Sequence, residues 1–493
     1  MSMTIANIVF STGINIGPGQ TYPNIVGAAA VALPGDTIYL HAGLYSGYQY
    51  TAGLSGSKNN WIIITRYKND IIGISGMWQF SSMAYVKLEK LNFSATVSEP
   101  GRLLNIDYGA GCPTISHSII IDSCSFLNTG DAWPSSAGKF GGVDTFQIKN
   151  CIIKNCAGEG WGFNVAMNGT ISGCRFENVA GGGFHLKLGS KNVTIQHNIL
   201  KNCGGYALEV GGSSGNYFCA NATSEAENIK VYSNIFTGCN KGISFNSCVN
   251  CEFINNTVYQ CSSWSFRFTI DSPLFPIMSG NTIKNNIFAF NGWAGFVGYL
   301  PGPSAMTTNT AVFSKNIYYH TTNPSFTWAD IYFDDPYWNN IKETSPLVYN
   351  STSVFFVNPS LDDFHLDPSS PAIGAGASST SPTADYYNFL YKTNRSIGAA
   401  EYGSVAAGIK NVIDEAYINV YPNPSNGLFT INWNKDNTID QIAIYNALGQ
   451  LILSQRVIGQ AAEIDLTQYT KGIYKIIFMN NAGGRFSKNI SVN

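Results

Sequence analysis

One short phrase occurs seven times between Ser123 and Phe288, and each copy holds an Asn or a Cys between other small or apolar residues. A glycine and then a segment of alternating apolar and polar residues follow most copies. The phrases place these residues at equivalent points: Cys124, Cys151, Cys174, Asn198, Asn234, Asn256 and Asn286. The intervals run from 22 to 36 residues, which is typical of a solenoid, because one repeat cannot bury its apolar face without stacking on its neighbours.

The segments between these points alternate with period two and are rich in Ile, Val, Phe and Tyr, as at 193–195, 229–231 and 266–268. This pattern predicts short parallel strands stacked coil upon coil. It resembles the right-handed parallel β-helix, and the resemblance runs from about Ile5 to Gly403, so we assign residues 1–403 to that fold. The four ladder asparagines are expected to bond one another, since a buried amide needs partners for its oxygen and its NH2 group.

Cysteine usage favours buried thiols. We expect a monomer. Because the count of 11 cysteines is odd, at least one thiol in a monomer is unpaired. A second column recurs five residues after the ladder position, at Cys156, Cys203, Cys239 and Cys261. A loop disulfide through Cys219 stays open as an alternative. Cys248 and Cys251 have CxxC spacing, but no second pair or nearby histidines complete the four ligands of a zinc site.

Composition narrows the class of partner. Only 12% of the residues are charged, against ~25% in a typical globular protein, so hydroxyls and amides wet the surface, which suits an extracellular protein with a polysaccharide partner. A net charge of −2 without Lys and Arg clusters argues against a nucleic acid. We expect no membrane span, because no apolar run reaches ~18 residues, and the start at Met1 lacks the pattern of a signal peptide.

Beyond Gly403 the repeat stops. Residues 404–416 read as a linker, and residues 417–493 as short strands with tight turns, which predicts a small β-sandwich. Four motifs carry a resemblance here: YPNPSNG at 421–427, IYNALGQLI at 444–452, GIYKIIF at 472–478 and a last strand with Lys488. Together they resemble the C-terminal sorting domain of Bacteroidetes proteins exported by the type IX secretion system. The resemblance implies that the secretion machinery handles residues 417–493 and that the protein is secreted or anchored at the outer-membrane surface.

Both ends of the predicted solenoid carry further phrases. IVGAAAVALPGDTIYLHAGLYSG at 25–47 and NNWIIITRYKNDIIGISG at 59–76 resemble the opening of alginate-lyase-like β-helix proteins. FHLDPSSPAIGAG at 364–376 and RSIGAAEYG at 395–403 resemble the closing phrase of many bacterial β-helix proteins. These resemblances imply a polysaccharide-lyase-like lineage.

The ladder positions also allow the strands that follow the turns to be aligned with one another. This alignment predicts one inward column: Phe184, Leu208, Ile243, Phe266 and Phe296. Strand alternation then turns the neighbouring residues to solvent. The predicted outward face holds Asn164, His185, Lys187, Ala207, Glu209, Ser244, Asn246, Arg267 and Thr269.

This face suggests β-elimination on a uronate-containing polysaccharide, which needs a base and a positive charge for the developing enolate. Lys187 is the predicted base, Arg267 the neutralising cation and His185 a helper or acid. HLKLGSKNVTIQHN at 185–198 resembles the region with the catalytic Lys in the alginate-lyase-like family, which implies that role for Lys187. Since LEVGGSSGN at 208–216 contains no Arg, Arg267 is assigned by its place on the face alone.

Further residues are predicted to bind substrate: Glu209, Asn164, Asn246, Trp161 and Trp264. Glu209 has two alternative roles, either holding Lys187 in place or contributing to a calcium site with Asn164, Asn246 or Asp271.

Three other interpretations remain open. In the first, Lys187 and Glu209 form an exposed ion pair and have no catalytic role. A glycoside hydrolase would need two suitably spaced carboxyl groups. A non-catalytic glycan-binding or adhesion protein would use exposed aromatic residues, for which the candidates are Trp161, Trp264, Trp293, Tyr299, Trp328, Tyr337 and Trp338.

Overall fold

The computed structural model describes residues 13–95, 101–107, 116–129, 135–212, 222–270, 275, 278–293, 295–299, 309–333, 343, 345–403, 418–433, 439, 441–446, 450–457, 459–479 and 485–493. Two compact units are present. The first comprises residues 1–386 with 391–403, and the second comprises 387–390 with 404–493. The predicted linker at 404–416, together with Asp271, Cys112 and Cys219, lies outside the described residues.

The first unit consists almost entirely of short strands. They are β1 (Gly13–Ile16), β2 (Thr37–Leu40), β3 (Gly43–Ser46), β4 (Gln49–Ala52), β5 (Ile62–Arg66), β6 (Ile72–Ser75), β7 (Trp78–Ser81), β8 (Ala84–Glu89), β9 (Asn92–Ser94), β10 (Leu104–Asp107), β11 (Ser116–Asp122), β12 (Ser125–Leu127), β13 (Gly138–Lys149), β14 (Ile152–Cys156), β15 (Glu159–Ser172), β16 (Arg175–Val179), β17 (Gly182–Lys187), β18 (Ser190–Gln196), β19 (Ile199–Cys203), β20 (Tyr206–Gly211), β21 (Ala226–Glu227), β22 (Lys230–Tyr232), β23 (Ile235–Thr237), β24 (Lys241–Asn246), β25 (Cys248–Val249), β26 (Glu252–Ile254), β27 (Thr257–Tyr259), β28 (Trp264–Thr269), β29 (Asn281–Lys284), β30 (Ile287–Phe290), β31 (Gly295–Tyr299), β32 (Ala311–Ser314), β33 (Ile317–His320), β34 (Tyr332–Phe333), β35 (Leu347–Tyr349), β36 (Phe356–Asn358) and β37 (Asp363–Leu366). Among the described residues of this unit, the helices are α1 (Ile25–Ala29) and the short 3-10 turns Trp328–Asp330 and Pro359–Leu361.

Strands β1 to β35 pair in parallel and form a 23-stranded sheet and a 12-stranded sheet. Each coil pairs with the next, so this unit is the predicted parallel β-helix. Its core is one continuous cluster of apolar side chains. The predicted inward column is confirmed, because Phe184, Leu208, Ile243, Phe266 and Phe296 are in register and fully or almost fully buried.

The asparagine ladder is confirmed and is longer than predicted. The Nδ2 group of Asn198 donates to the Oδ1 atom of Asn234 at 3.0 Å, and the same bond recurs up the stack through Asn256 and Asn286. It then continues through Asn316, whose Nδ2 group donates to the Oε2 atom of Glu343 at 3.1 Å. Lower in the stack the amide of Cys174 donates to Asn198. The buried carboxylate of Glu343 therefore ends the row as its last acceptor.

The cysteines behave as buried packing groups. All of those in the described part of the chain are buried and unpaired. Burial raises the pKa of the Cys156 thiol to about 11, which keeps it protonated at neutral pH.

The closing segment, residues 345–403, runs back over earlier coils. Asp362 accepts hydrogen bonds from Arg175 at 2.7 Å and from Lys201 at 2.8 Å. Asn255 donates to the carbonyl oxygens of Ser396 and Gly398 at 2.9 and 3.0 Å. The closing phrase is therefore a strap that bonds to the solenoid through charged and amide side chains.

The second unit has two antiparallel sheets, which fits a small β-sandwich. One sheet holds three strands and the other four, in the orders β38-β39-β42 and β41-β40-β43-β44. The strands are β38 (Ile418–Tyr421), β39 (Leu428–Trp433), β40 (Gln441–Tyr445), β41 (Leu451–Arg456), β42 (Ala461–Asp465), β43 (Gly472–Met479) and β44 (Arg485–Val492). Its core is separate from that of the solenoid and includes Trp433 and Phe478.

Candidate functional site

The predicted face lies on the larger sheet, and its register can be read from strand to strand. Gly162 on β15, His185 on β17 and Glu209 on β20 are neighbours in one outward column, which continues to Ser244 and Arg267. A second column holds Asn164 beside Lys187 and, further up, Gly211, Asn246 and Thr269. The predicted grouping therefore shares one face.

Two details of the predicted face are wrong. Ala207 is fully buried rather than exposed, and it lies between Tyr206 and Leu208, which pair with Gly182 and Phe184. The strand neighbour of Glu209 is His185, so the expected pair of Lys187 with Glu209 is not a cross-strand pair.

His185 lies between two carboxylates. Its Nδ1 atom is 3.2 Å from the Oε1 atom of Glu159, and its Nε2 atom is 3.2 Å from the Oε2 atom of Glu209. The second contact has ion-pair distance without hydrogen-bond alignment, so Glu209 acts on the ring chiefly through its charge. A side chain on Gly212 would come within 2.5 Å of Nε2, so that glycine lets the backbone pass close to the imidazole.

The two carboxylates have opposite electrostatic environments. Burial raises the pKa of Glu209, although the charges of His185, Arg267 and Lys187 and a hydrogen bond from Asn246 oppose that rise. Burial also acts on Glu159, but there the hydrogen bond and charge of His185, with the nearby lysines, lower the pKa overall. Glu159 is thus the more firmly ionised member of the pair, and Glu209 accepts a proton more readily.

A group of cations surrounds this triad. Lys139 on β13 is in register with Gly162 on β15, so it lies two strands below His185, on the opposite side from Glu209. Burial and the charges of Arg102 and Lys187 lower the pKa of Lys139. Gly162 carries no side chain, and the carboxylate of Glu159 lies over it: a side chain at this position would approach the Oε2 atom of Glu159 to 3.0 Å.

Arg267 reaches back along the stack. Its Nη1 group donates to the phenolic oxygen of Tyr206 at 2.5 Å, although Tyr206 lies two strands earlier, on β20. The Nζ atom of Lys241 also lies 4.9 Å from the centre of the Tyr206 ring, and the Trp264 ring packs against it at 5.3 Å. The guanidinium is thereby held at the level of the strand next to His185.

Three predicted substrate-binding residues are corrected. Trp161 is 0% exposed and packs in the core against Phe126 and Phe140, so it cannot touch a polysaccharide. Asn246 is also 0% exposed, and its contact is with Glu209, so it orients that carboxylate instead of binding substrate. Trp264 is also buried, at 8% exposure, and packs against Tyr206, so the prediction that it is an exposed sugar-stacking residue is wrong. Asn164 stays a prediction for substrate contact.

The calcium alternative does not fit the described residues. Glu209 is already engaged by His185 and Asn246, and Asn246 is buried. Among the described residues no group of three or more His, Cys, Asp and Glu side chains is arranged to hold a metal ion. Asp271, the other predicted ligand, lies outside them.

Sequence reasoning missed Lys139, Glu159, Tyr206 and Lys241. Glu159 and Tyr206 each stand eight residues after a ladder position, so aligning the residues at that spacing as well would have found them. Lys139 stands fifteen residues after Cys124, because the turn before β13 is longer than the turns above it. The ladder spacing therefore gave no signal for Lys139.

Two protein families match parts of the chain. Residues 85–223 match the family described as "Right handed beta helix region", and residues 419–493 match "Secretion system C-terminal sorting domain". The chain is therefore a right-handed parallel β-helix protein that ends in a type IX secretion sorting domain. The sorting domain makes it a secreted or cell-surface protein. Within the described residues, no helix has the length and apolar character needed to cross a bilayer.

Solved structures with a similar fold include several carbohydrate-active enzymes. An alginate lyase from Paenibacillus sp. str. FPU-7 is 16% identical, with 59% of this chain and 94% of that chain covered and a TM-score of 0.41. The pectate lyase Pel9A is 13% identical, with 78% of this chain and 90% of that chain covered and a TM-score of 0.43. The GH136 lacto-N-biosidase from Eubacterium ramulus is 11% identical, with 69% of this chain and 68% of that chain covered and a TM-score of 0.41. No curated protein matches the chain in sequence. A β-helix hosts several chemistries, so function has to be argued from the site.

Proposed function

We propose that this protein is a polysaccharide lyase that cleaves a uronate-containing polysaccharide by β-elimination. One observation carries the proposal: the charges of His185, Lys187 and Arg267, the three side chains given catalytic roles from the sequence, all act on the carboxylate of Glu209. They therefore lie around one point on this face, where His185 is 3.2 Å from the Oε2 atom of Glu209. An elimination needs this set of a base, a cation and a proton donor in one place.

The reaction assigns one role to each group. The neutral amine of Lys187 takes the proton from the carbon next to the uronate carboxylate, and Arg267 neutralises the negative charge that develops there. The electron pair forms a carbon–carbon double bond as the glycosidic carbon–oxygen bond breaks. The leaving oxygen takes a proton from His185, which Glu159 and Glu209 hold between them at 3.2 Å on each side.

A lysine acts as a base only when it has lost its proton. Burial, together with the charges of Arg102 and Lys187, lowers the pKa of Lys139. Lys139 is therefore the competing candidate for the base. Substitution by Arg separates the two, because a guanidinium keeps the positive charge and does not deprotonate at working pH.

Hydrolysis is the weaker alternative. The opposed pKa shifts of Glu159 and Glu209 resemble those of an acid and base pair. However, the imidazole of His185 fills the space between the two carboxylates, which is where a glycosidic oxygen and a water would have to lie.

The test is incubation of the full chain with alginate, polygalacturonate, hyaluronan and chondroitin sulfate, followed by the ultraviolet absorbance of the unsaturated product. We expect product from at least one polymer and none from the Lys187→Arg variant. Binding of a polymer with no unsaturated product from any of the four would contradict the lyase proposal and favour a glycan-binding protein.

A further inference from the structure

Two pairs of exposed aromatic residues lie at opposite ends of the face that carries His185. The lower pair is Tyr48 and Tyr50, with exposed fractions of 57% and 44%, and the upper pair is Trp293 and Tyr332, with 45% and 49%. We call them the lower and upper platforms. Large aromatic side chains left this exposed on a rigid sheet are typical of a binding surface.

The lower platform belongs to the same column as the proposed site. Tyr50 on β4 begins a series of register neighbours that runs through β7, β10, β13 and β15 to His185 on β17. These are five strand steps, and neighbouring strands are ~4.8 Å apart, so Tyr50 lies about 24 Å from His185 along the axis.

The upper platform lies at a matching distance on the other side. From β17 the sheet continues through β20, β24, β28 and β31 to β34, where Tyr332 is the register neighbour of Gly295. This is again five strand steps, or about 24 Å. Along the axis His185 is thus midway between the two platforms, and Tyr332 lies two residues to the side of the His185 column, which reaches β31 at Val297.

Both platforms are held rigidly. The phenol of Tyr48 donates to Gln79 Oε1 at 2.9 Å, and the phenolic oxygen of Tyr50 is 2.8 Å from Ser81 Oγ. At the other end the Trp293 ring lies against the backbone of Gly295, where a side chain would approach it to 2.2 Å, and its centre is 5.4 Å from that of Tyr332. A fixed ring loses little conformational freedom when a ligand stacks on it.

Hydrogen-bonding groups connect the lower platform to the site. Gln79 also donates to the Oδ2 atom of Asp107 at 2.7 Å, and Asn105 donates to the same oxygen at 3.1 Å. The charge of Asp107 in turn acts on Lys139, the register neighbour of Gly162. A series of polar groups therefore leads from Tyr48 to the cations around His185.

We propose that a single polysaccharide chain lies along the solenoid axis across this face, with sugar rings stacked on both platforms and its reacting unit at His185. This inference rests on the proposed function and extends it, since it assigns distal sugar-binding subsites and predicts a preference for long chains. The apolar face of a sugar ring matches an aromatic ring, and the hydroxyls of the sugar match the amides and phenols between the platforms. A globular protein partner fits less well, because the platforms are small and about 48 Å apart.

The test measures binding, independently of catalysis, by full-length protein that carries Lys187→Ala. Retardation in native gels containing alginate, polygalacturonate, hyaluronan or chondroitin sulfate gives the affinity for long chains, and calorimetry with a tetrasaccharide of the same polymer gives the affinity of the central site. We expect the pairs Tyr48→Ala/Tyr50→Ala and Trp293→Ala/Tyr332→Ala each to weaken long-chain binding about tenfold. Tetrasaccharide binding should stay unchanged.

Two further variants control the experiment. Tyr48→Phe/Tyr50→Phe keeps the rings and should keep most of the long-chain affinity. Leu44→Ala/Ile71→Ala removes residues that are 68% and 86% exposed at the same end of the solenoid, but Leu44 lies in the smaller sheet and Ile71 precedes a strand of that sheet, so binding should not change.

The inference is overturned if either platform variant binds long chains as tightly as its parent, if tetrasaccharide binding falls equally, or if no polymer of the four binds. Failure of the lyase proposal would look different, since long-chain binding and its dependence on the platforms would persist without any unsaturated product.

Discussion

The guanidinium of Arg267 donates to the phenolic oxygen of Tyr206 at 2.5 Å, across two strands of the larger sheet. This bond explains how an arginine three strands above His185 still acts on Glu209, the strand neighbour of that histidine. Tyr206 is thus a positioning residue for Arg267, held in its turn by Lys241 and Trp264.

Tyr206→Phe is expected to lower kcat/KM about tenfold, because the ring and its packing remain while the acceptor for Arg267 is lost. A structural role alone would leave kcat and KM unchanged once the protein folds. Kinetics on the best polymer, with thermal unfolding as the control for folding, check this. An unchanged kcat/KM would show that Arg267 does not need its tyrosine.

His185→Ala should lower kcat by ~10²-fold or more, since it removes the proton donor to the leaving oxygen. His185→Gln is the matched variant, because its amide can still contact Glu159 but cannot serve as a proton donor of suitable acidity. Both variants should be equally inactive. Recovery of activity in His185→Gln would mean that the histidine only fills space between the carboxylates.

The buried ladder should be the most sensitive part of the solenoid. In a fully buried row, Asn256→Ala removes the Oδ1 acceptor of the Asn234 backbone N–H and the Nδ2 donor to the Val231 carbonyl, which costs ~1–3 kcal/mol of unfolding free energy. Asn192→Gly is the control: it belongs to an exposed row, has a φ of 57° that glycine adopts freely, and should change stability by ~0.5 kcal/mol or less. Denaturant unfolding of both variants gives the comparison, and equal losses would contradict it.

The strap formed by residues 345–403 should make stability depend on pH. The charges and hydrogen bonds of Lys201 and Arg175 outweigh burial and lower the pKa of Asp362. Because the folded-state pKa is depressed, this stabilisation is fully present above the unfolded-state value of ~3.9 and is lost as the pH falls through the folded-state pKa. Asp362→Asn should therefore cost about 1 kcal/mol at neutral pH and less in acid. A loss that is the same at both pH values would contradict the role of the ion pairs.

The sequence predicted the architecture well because the ladder is a local signal. Each Asn sits at a turn whose spacing repeats, so its equivalents could be aligned without a structure, and the inward column from Phe184 to Phe296 followed from strand alternation. The exposed rows, such as Asn155 with Asn178, were not predicted, since their residues take part in a turn geometry with φ near 55° that composition does not reveal.

The site was predicted less completely, and the reason is again geometric. His185, Lys187, Glu209 and Arg267 were found because they follow the ladder at a fixed spacing. Trp161 was misassigned because it was taken for an exposed aromatic residue, whereas it is the register neighbour of Phe184 in the inward column. Asn246 was misassigned because its burial depends on the neighbouring coils, which no local pattern reports.

The most direct test of the proposed function is the production of unsaturated sugar by the Lys187→Arg and Lys191→Arg variants beside the parent protein, on the polymer that the parent cleaves. Lys191 is an exposed lysine on the next strand of the same coil, so its substitution should leave the rate unchanged. Lys187→Arg should lose ~10²- to 10⁴-fold in rate, because an arginine keeps the charge but cannot accept the proton. A Lys187→Arg enzyme with near-parental activity would contradict the assignment of Lys187 as the base.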